Sequence, residues 1–260
     1  MDRFAAVGAG LLSLVALSGA ADAADLPVKA PPLAAYAYDW SGLYVGLNGG
    51  GASSHECLNL ASDNGQPITP PAPEGCHDAT GGLFGGQLGY RLQLSHWVFG
   101  IEAQGDWAAL KGSALNALAR IPYINETKID SLGLFTGQVG FAWNNVLVYL
   151  KGGAAVTHNQ YSSYFPAGIP NIPPNIPPGF PFNQASETRW GGVIGTGLEY
   201  GFAPSWSVAA EYDHLFMGNN SVTFPASAVA VTRSDFIKQD VDMGTVRVSY
   251  RFGGPIFAKY

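Results

Sequence analysis

Eight stretches of this chain alternate apolar and polar side chains with a period of two residues: 40–52, 81–93, 97–107, 127–143, 146–156, 188–202, 206–215 and 240–252. That period is the mark of extended strand, because successive side chains on a strand point to opposite faces. Helical spacing is hard to find outside residues 108–120. The connections alternate too: long at 53–80, 108–126, 157–187 and 216–239, short at 94–96, 144–145 and 203–205. Short turns at one end and long loops at the other describe an antiparallel meander, and an even number of strands lets it close and remove its edges. The sequence therefore predicts an all-β chain, an eight-stranded antiparallel up-and-down barrel.

The two faces of these strands differ sharply. One holds Leu43, Val45, Leu47, Phe84, Leu88, Phe99, Ile101, Phe135, Val139, Val148, Leu150, Ile194, Leu198, Val208, Tyr212, Val246, Val248 and Tyr250, with no charge among them. The other holds Asn48, Gln87, Gln104, Thr136, Gln138 and Ser207. It also carries the cations Arg91, Lys151, Arg189, Arg247 and Arg251 and the acids Glu102, Asp106, Glu199, Glu211 and Asp213. A soluble calyx would turn the apolar set inward. Tryptophans argue for the opposite orientation. Trp40, Trp97, Trp143 and Trp206 gather at the short-turn ends and Trp107 and Trp190 at the long-loop ends. Two such belts suit the two interfaces of a membrane, where an indole keeps an apolar body and a polar N–H. Most of the strands also reach the 9–11 residues, roughly, that a tilted strand needs to cross a bilayer.

The N-terminus agrees with export. Residues 4–20 form an apolar run that exits through Ala21-Asp22-Ala23, an A-x-A pattern that predicts a signal peptide over residues 1–23. A lead of 24–39 and a barrel domain of 40–260 follow. Only 12% of residues are charged and the net charge is −6, which disfavours a nucleic-acid partner.

Taken in order, DWSGLYVGLNGG, WVFGIEAQGDW, LVYLKGGAA, TGLEYGF, WSVAAEY and the final VRVSYRFGGPIFAKY resemble the small outer-membrane immunogenic or porin-family proteins of Gram-negative bacteria. These are eight-stranded barrels similar to the OmpA and OmpX membrane domains. The resemblance spans the whole chain after the leader. One departure is the fourth strand, where Thr136 and Gln138 stand in place of expected arginines.

The resemblance implies an integral protein of the cell outer membrane, surrounded by its lipids and lipopolysaccharide and inserted by the barrel assembly machinery. That machinery reads an aromatic residue near the C-terminus, here Phe252 or Tyr260. It implies a structural role in envelope integrity and surface loop display. The alternatives are a small gated pore, or an adhesin or receptor that meets a phage or host ligand through its long loops. It leaves the oligomeric state open.

Inside the barrel, a network of Arg91, Glu102, Lys151, Arg189, Glu199, Glu211, Arg247 and Arg251 is expected, since a charge buried there needs a partner. Counting from the short turns puts Glu102, Lys151, Glu211 and Arg247 near one depth. In the first long loop, Cys57 and Cys76 are the two cysteines of the chain, and in an oxidising compartment they predict a disulfide. A zinc or copper site of His55, Cys57, Cys76 and His77 is the alternative. Residues 166–181 are proline-rich and predict exposed polyproline II. Histidines 77, 96 and 158 fall in turns or loops and read as polar surface. His214 precedes Leu215 and Phe216, so the H-x-S arrangement of outer-membrane lipid deacylases is missing. The sequence holds no HExxH, GxSxG or P-loop motif, and neither catalysis nor a cofactor is expected.

Overall fold

A computed structural model describes residues 38–116, 122–166, 177, 179–227 and 230–253. The elements are β1 (Gly42–Asp63), β2 (Gln66–Leu94), β3 (Trp97–Asn116), β4 (Tyr123–Trp143), β5 (Val146–Tyr164), β6 (Pro181–Ala203), β7 (Trp206–Phe224) and β8 (Arg233–Phe252). Each strand pairs antiparallel with its sequence neighbours, and β1 pairs with β8 to close the barrel. The closure register runs from Leu43 opposite Phe252 through Leu47 opposite Val248, which makes residues 245–252 the closing strand. Among the described residues no helix is long and apolar enough to cross a membrane.

The strands are tilted, and the register says by how much. Following paired residues from Val45 through Leu88, Ala103, Phe135, Ala154, Gly192, Phe216 and Asp240 returns to β1 at His55, ten residues further along. For eight strands that stagger corresponds to a tilt of about 40° and an interior that side chains can fill.

The strands are longer than the alternation foretold. Most of the expected long loops are ladder: residues 53–63 and 66–80 pair with one another around a two-residue Asn64-Gly65 turn, both with positive φ (49° and 74°). This is the hairpin geometry that Asn-Gly favours. Likewise β3 runs on to Asn116, β4 begins at Tyr123, β5 ends at Tyr164, and β7 and β8 extend to Phe224 and from Arg233. A membrane crossing needs about half of such a strand, so the barrel continues well beyond the bilayer on the long-loop side. The three short turns, at 95–96, 144–145 and 204–205, lie where expected. The leader, most of the lead, Tyr260 and residues 167–176 and 178 of the proline-rich stretch lie outside the described residues.

Candidate functional site: a layered barrel interior

The apolar face is the outer one. Leu47, Ile101, Phe135, Leu150, Ile194 and Val246 are all exposed on the barrel wall, while Arg91, Glu102, Lys151, Glu199, Glu211 and Arg247 are buried. Five tryptophans, Trp97, Trp107, Trp143, Trp190 and Trp206, are between 44% and 73% exposed on this wall. Trp40 is not with them. It is 1% exposed and packs inside the mouth of the barrel with Tyr38, Val98, Leu147 and Tyr149. The strand's own parity explains this correction: Trp40 is in phase with Tyr44 and Asn48, which face inward, and out of phase with Leu43 and Val45.

Above this aromatic floor lies a dense ionic layer. Arg247 grips Glu102 with two hydrogen bonds, Nη1 to Oε1 at 3.1 Å and Nη2 to Oε2 at 2.7 Å, and donates to Glu211 Oε2 at 2.8 Å. Lys151 Nζ lies 3.3 Å from Glu211 and 3.1 Å from Asp213. Arg91 pairs with Glu199 at 2.8 Å and donates to Gln138 at 3.1 Å. Gln138, where an arginine was expected, thus serves as an acceptor for an arginine of another strand. Two tyrosines complete the layer and were missed in the sequence. Tyr44 donates to Glu102 at 2.6 Å, Tyr149 donates to Glu211 at 2.7 Å, and the Arg91 guanidinium stacks over both rings. Each ring lies where a neighbouring strand has no side chain: a methyl group at Gly89 would overlap Tyr44, and one at Gly197 would overlap Tyr149. An aromatic residue in inward phase, with a glycine on the next strand, was the available signal.

Arg189 and Arg251 stand apart from this layer. Arg251 donates to the carbonyls of Ser41 (3.1 Å) and Pro204 (2.7 Å) and stacks on Tyr38 at the short-turn rim. Arg189 binds Glu187 and the Ile237 carbonyl near the other end.

Between the ionic layer and Arg189 the interior turns apolar. Leu83, Leu110, Ile129, Leu215, Val241 and Met243 belong to one buried cluster that crosses the barrel. Sequence alternation did not anticipate an apolar layer on the inward face. Next comes a second polar layer in which Ser54, Glu56, Asn159 and Gln239 are wholly buried. Gln239 joins Ser54 (3.1 Å), Glu56 (3.2 Å) and Asn159. His77, read from the sequence as surface, is buried here beside Thr127 at 3.1 Å. Burial pushes the Glu56 carboxyl up to about 7, partly offset by hydrogen bonds from Thr127 and Ser54, and it pushes His77 down. A further apolar cluster of Leu58, Tyr161, Val222, Phe224 and Ile237 follows. The top layer joins Arg233 to Glu74 and Asp235.

Cys57 and Cys76 sit opposite one another on β1 and β2 and form a disulfide. Their sulfurs are bonded to each other, so the thiolates a metal site with His55 would need are not available. His55 instead lies 2.6 Å from Asp78.

A closed ring of eight strands with an apolar wall and a polar filling is an outer-membrane architecture. The sequence profile of the outer membrane protein β-barrel domain family matches residues 9–252. The chain belongs to this family.

Among curated proteins, this outer-membrane barrel is 28% identical over 256 residues to the 31 kDa outer-membrane immunogenic protein of Brucella melitensis, covering 93% of this chain and 98% of that one. Among solved structures it is similar to the outer membrane protein OprG of Pseudomonas aeruginosa, with 11% identity, TM-score 0.49, and 82% and 97% of the two chains covered. It is also similar to Ail, the attachment invasion locus protein of Yersinia pestis, with 14% identity, TM-score 0.38, and 82% and 99% covered. The barrel is an integral protein of the outer membrane.

Proposed function

We propose that this barrel is a sealed structural element of the outer membrane that carries a rigid extracellular extension, rather than a route for solutes. The observation that carries this reading is the apolar layer of Leu83, Leu110, Ile129, Leu215, Val241 and Met243, flanked on both sides by buried polar layers. A hydrated ion would have to shed its water to pass the apolar layer, and it would have to part a bidentate Arg247–Glu102 pair to pass the ionic one. The interior serves to hold the wall rigid. The strands beyond the bilayer, stapled at Cys57–Cys76, raise the Asn64-Gly65 turn away from the membrane, where a phage or host ligand could meet it. The closing strand ending at Phe252 is the segment offered to the assembly machinery.

Loss of the chain from its host tests the role. The expected result is greater sensitivity to detergents with no change in uptake of small hydrophilic solutes. Slower uptake with unchanged detergent tolerance would instead favour a channel.

A further inference from the structure

The outer wall carries polar groups where an apolar band would be expected to end, and they are arranged in a line. On β8 the outward residues climb from Phe252 through Tyr250, Val248, Val246 and Gly244 to Asp242. Ten residues at about 3.3 Å each, tilted about 40°, rise roughly 25 Å. That is the height of the apolar band on such barrels, so Asp242 stands at its upper edge. There Tyr212 donates to Asp242 Oδ1 at 2.5 Å, and His214 Nδ1 lies 2.6 Å from the same oxygen. With both neighbours on Oδ1, the second oxygen is left for another donor.

From this edge a single row of directly paired, outward residues crosses the sheet: His214 on β7, Asp242 on β8, Ser53 on β1, Thr80 on β2, Lys111 on β3 and Lys128 on β4. Because the strands tilt, the row climbs about 3 Å per strand. The lysines therefore stand in the headgroup layer, Lys111 four residues beyond Trp107 along β3 and Lys128 opposite it on β4. A groove of about 410 Å³ runs beside the first half of the row, lined by Ser53, Thr80, Tyr212, Asp242 and the flanking glycines 51, 81 and 244.

The lysine pair is the informative part. Like charges placed directly opposite on neighbouring strands destabilise a sheet. Glu126 compensates Lys111 at 3.1 Å; Lys128 has no carboxylate partner among the described residues. An anion from outside the chain would complete the pair.

We infer that this row seats a phosphorylated sugar lipid of the outer leaflet. Its phosphate lies between Lys111 and Lys128. Its sugar hydroxyl and amide groups meet Thr80, Ser53 and the open oxygen of Asp242, and its acyl chains run down the wall past Gly244 and Val246. The chemistry fits one ligand class: charge complementarity at one end, a carboxylate with aromatic neighbours at the other, and hydrocarbon below. The inference does not depend on whether the lumen conducts.

Native mass spectrometry of the folded, detergent-solubilised protein titrated with purified diphosphoryl lipid A tests it. Because all of the substituted side chains face outward, heat-modifiable gel migration can verify that each variant is folded. Lys111→Gln with Lys128→Gln should weaken retention about thirty-fold, at roughly 1 kcal/mol per lysine near an anionic headgroup. The same pair should leave binding of dephosphorylated lipid A unchanged. Ser53→Ala with Asp242→Asn should weaken both lipids alike. Inorganic phosphate at millimolar concentration should not displace the lipid; displacement would overturn the sugar-lipid assignment in favour of a free-phosphate site. Wild-type retention by a folded double-lysine variant would overturn the proposal outright.

Discussion

Arg247 and Glu102 face each other across the barrel and are joined by two hydrogen bonds of 3.1 and 2.7 Å, both side chains being 1% exposed. Neither β8 nor β3 is a neighbour of the other in the sheet, so this pair ties together parts of the wall that no backbone ladder connects. Glu211 on β7 accepts from Arg247 and Tyr44 on β1 donates to Glu102, so two further strands are tied to the pair.

Removing one member leaves the others as uncompensated buried charge. Arg247→Ala is expected to lower stability by about 3–5 kcal/mol, measured by urea unfolding of the protein in detergent micelles. Because the apolar layer above remains intact, the same variant should stay closed to ions. Replacing Arg247 and Glu102 together, by Met and Leu, should cost clearly less than Arg247→Ala alone.

Tyr44 occupies the space that Gly89 leaves free. Gly89→Ala should force the ring away from Glu102 and destabilise the barrel by about 1–3 kcal/mol, the usual range for overpacking. Gly82→Ala, on the same strand but facing outward with only the Gly50 carbonyl oxygen 3.7 Å from the added methyl, is the control and should be nearly neutral.

Glu56 gives stability a pH dependence of definite sign. Its folded-state value is pushed up to about 7 from an ordinary 4.5. Between these values the unfolded chain gives up the proton while the folded barrel keeps it, so stability falls as pH rises through that window and levels off above it. Glu56→Gln removes this contribution. The variant should gain on the parent progressively from pH 4.5 to pH 7, with His77 and Arg189 common to both proteins. An unfolding series in which the two proteins run parallel across that range would contradict the burial argument.

The Cys57–Cys76 bridge closes 19 residues of sequence separation. Replacing both cysteines by serine should cost about 2–3 kcal/mol by the chain-entropy argument. The loss should be local, seen as faster hydrogen exchange and proteolysis of residues 53–80, with the membrane-spanning part of the barrel still protected.

The wall was legible in the sequence because lipid demands unbroken alternation there, as in Val246, Val248 and Tyr250. The same alternation contained the inward placement of Trp40, but the position of that residue near a short turn pointed to the belt instead. Beyond the bilayer the demand relaxes. Residues 66–73 carry four prolines yet belong to a strand, and the Asn64-Gly65 turn was the local sign that the first long connection is a hairpin. The ionic partners could be chosen by charge but not matched, since Arg91 finds Glu199 four strands away, and such pairing depends on stagger. The apolar layer was missed because it takes only one to three inward residues from each strand, such as Leu83 on β2, Leu215 and Met217 on β7 and Val241 and Met243 on β8, and it emerges only when the stagger brings them to one depth.

Sealing of the lumen is tested most directly by single-channel recording of the purified, folded protein in planar bilayers. A barrel filled by the Arg247 layer and the Leu110–Val241 layer should insert without conductance steps above the lipid baseline, for the parent and for Arg247→Ala alike. Reproducible steps of ion current from the folded parent protein would contradict it.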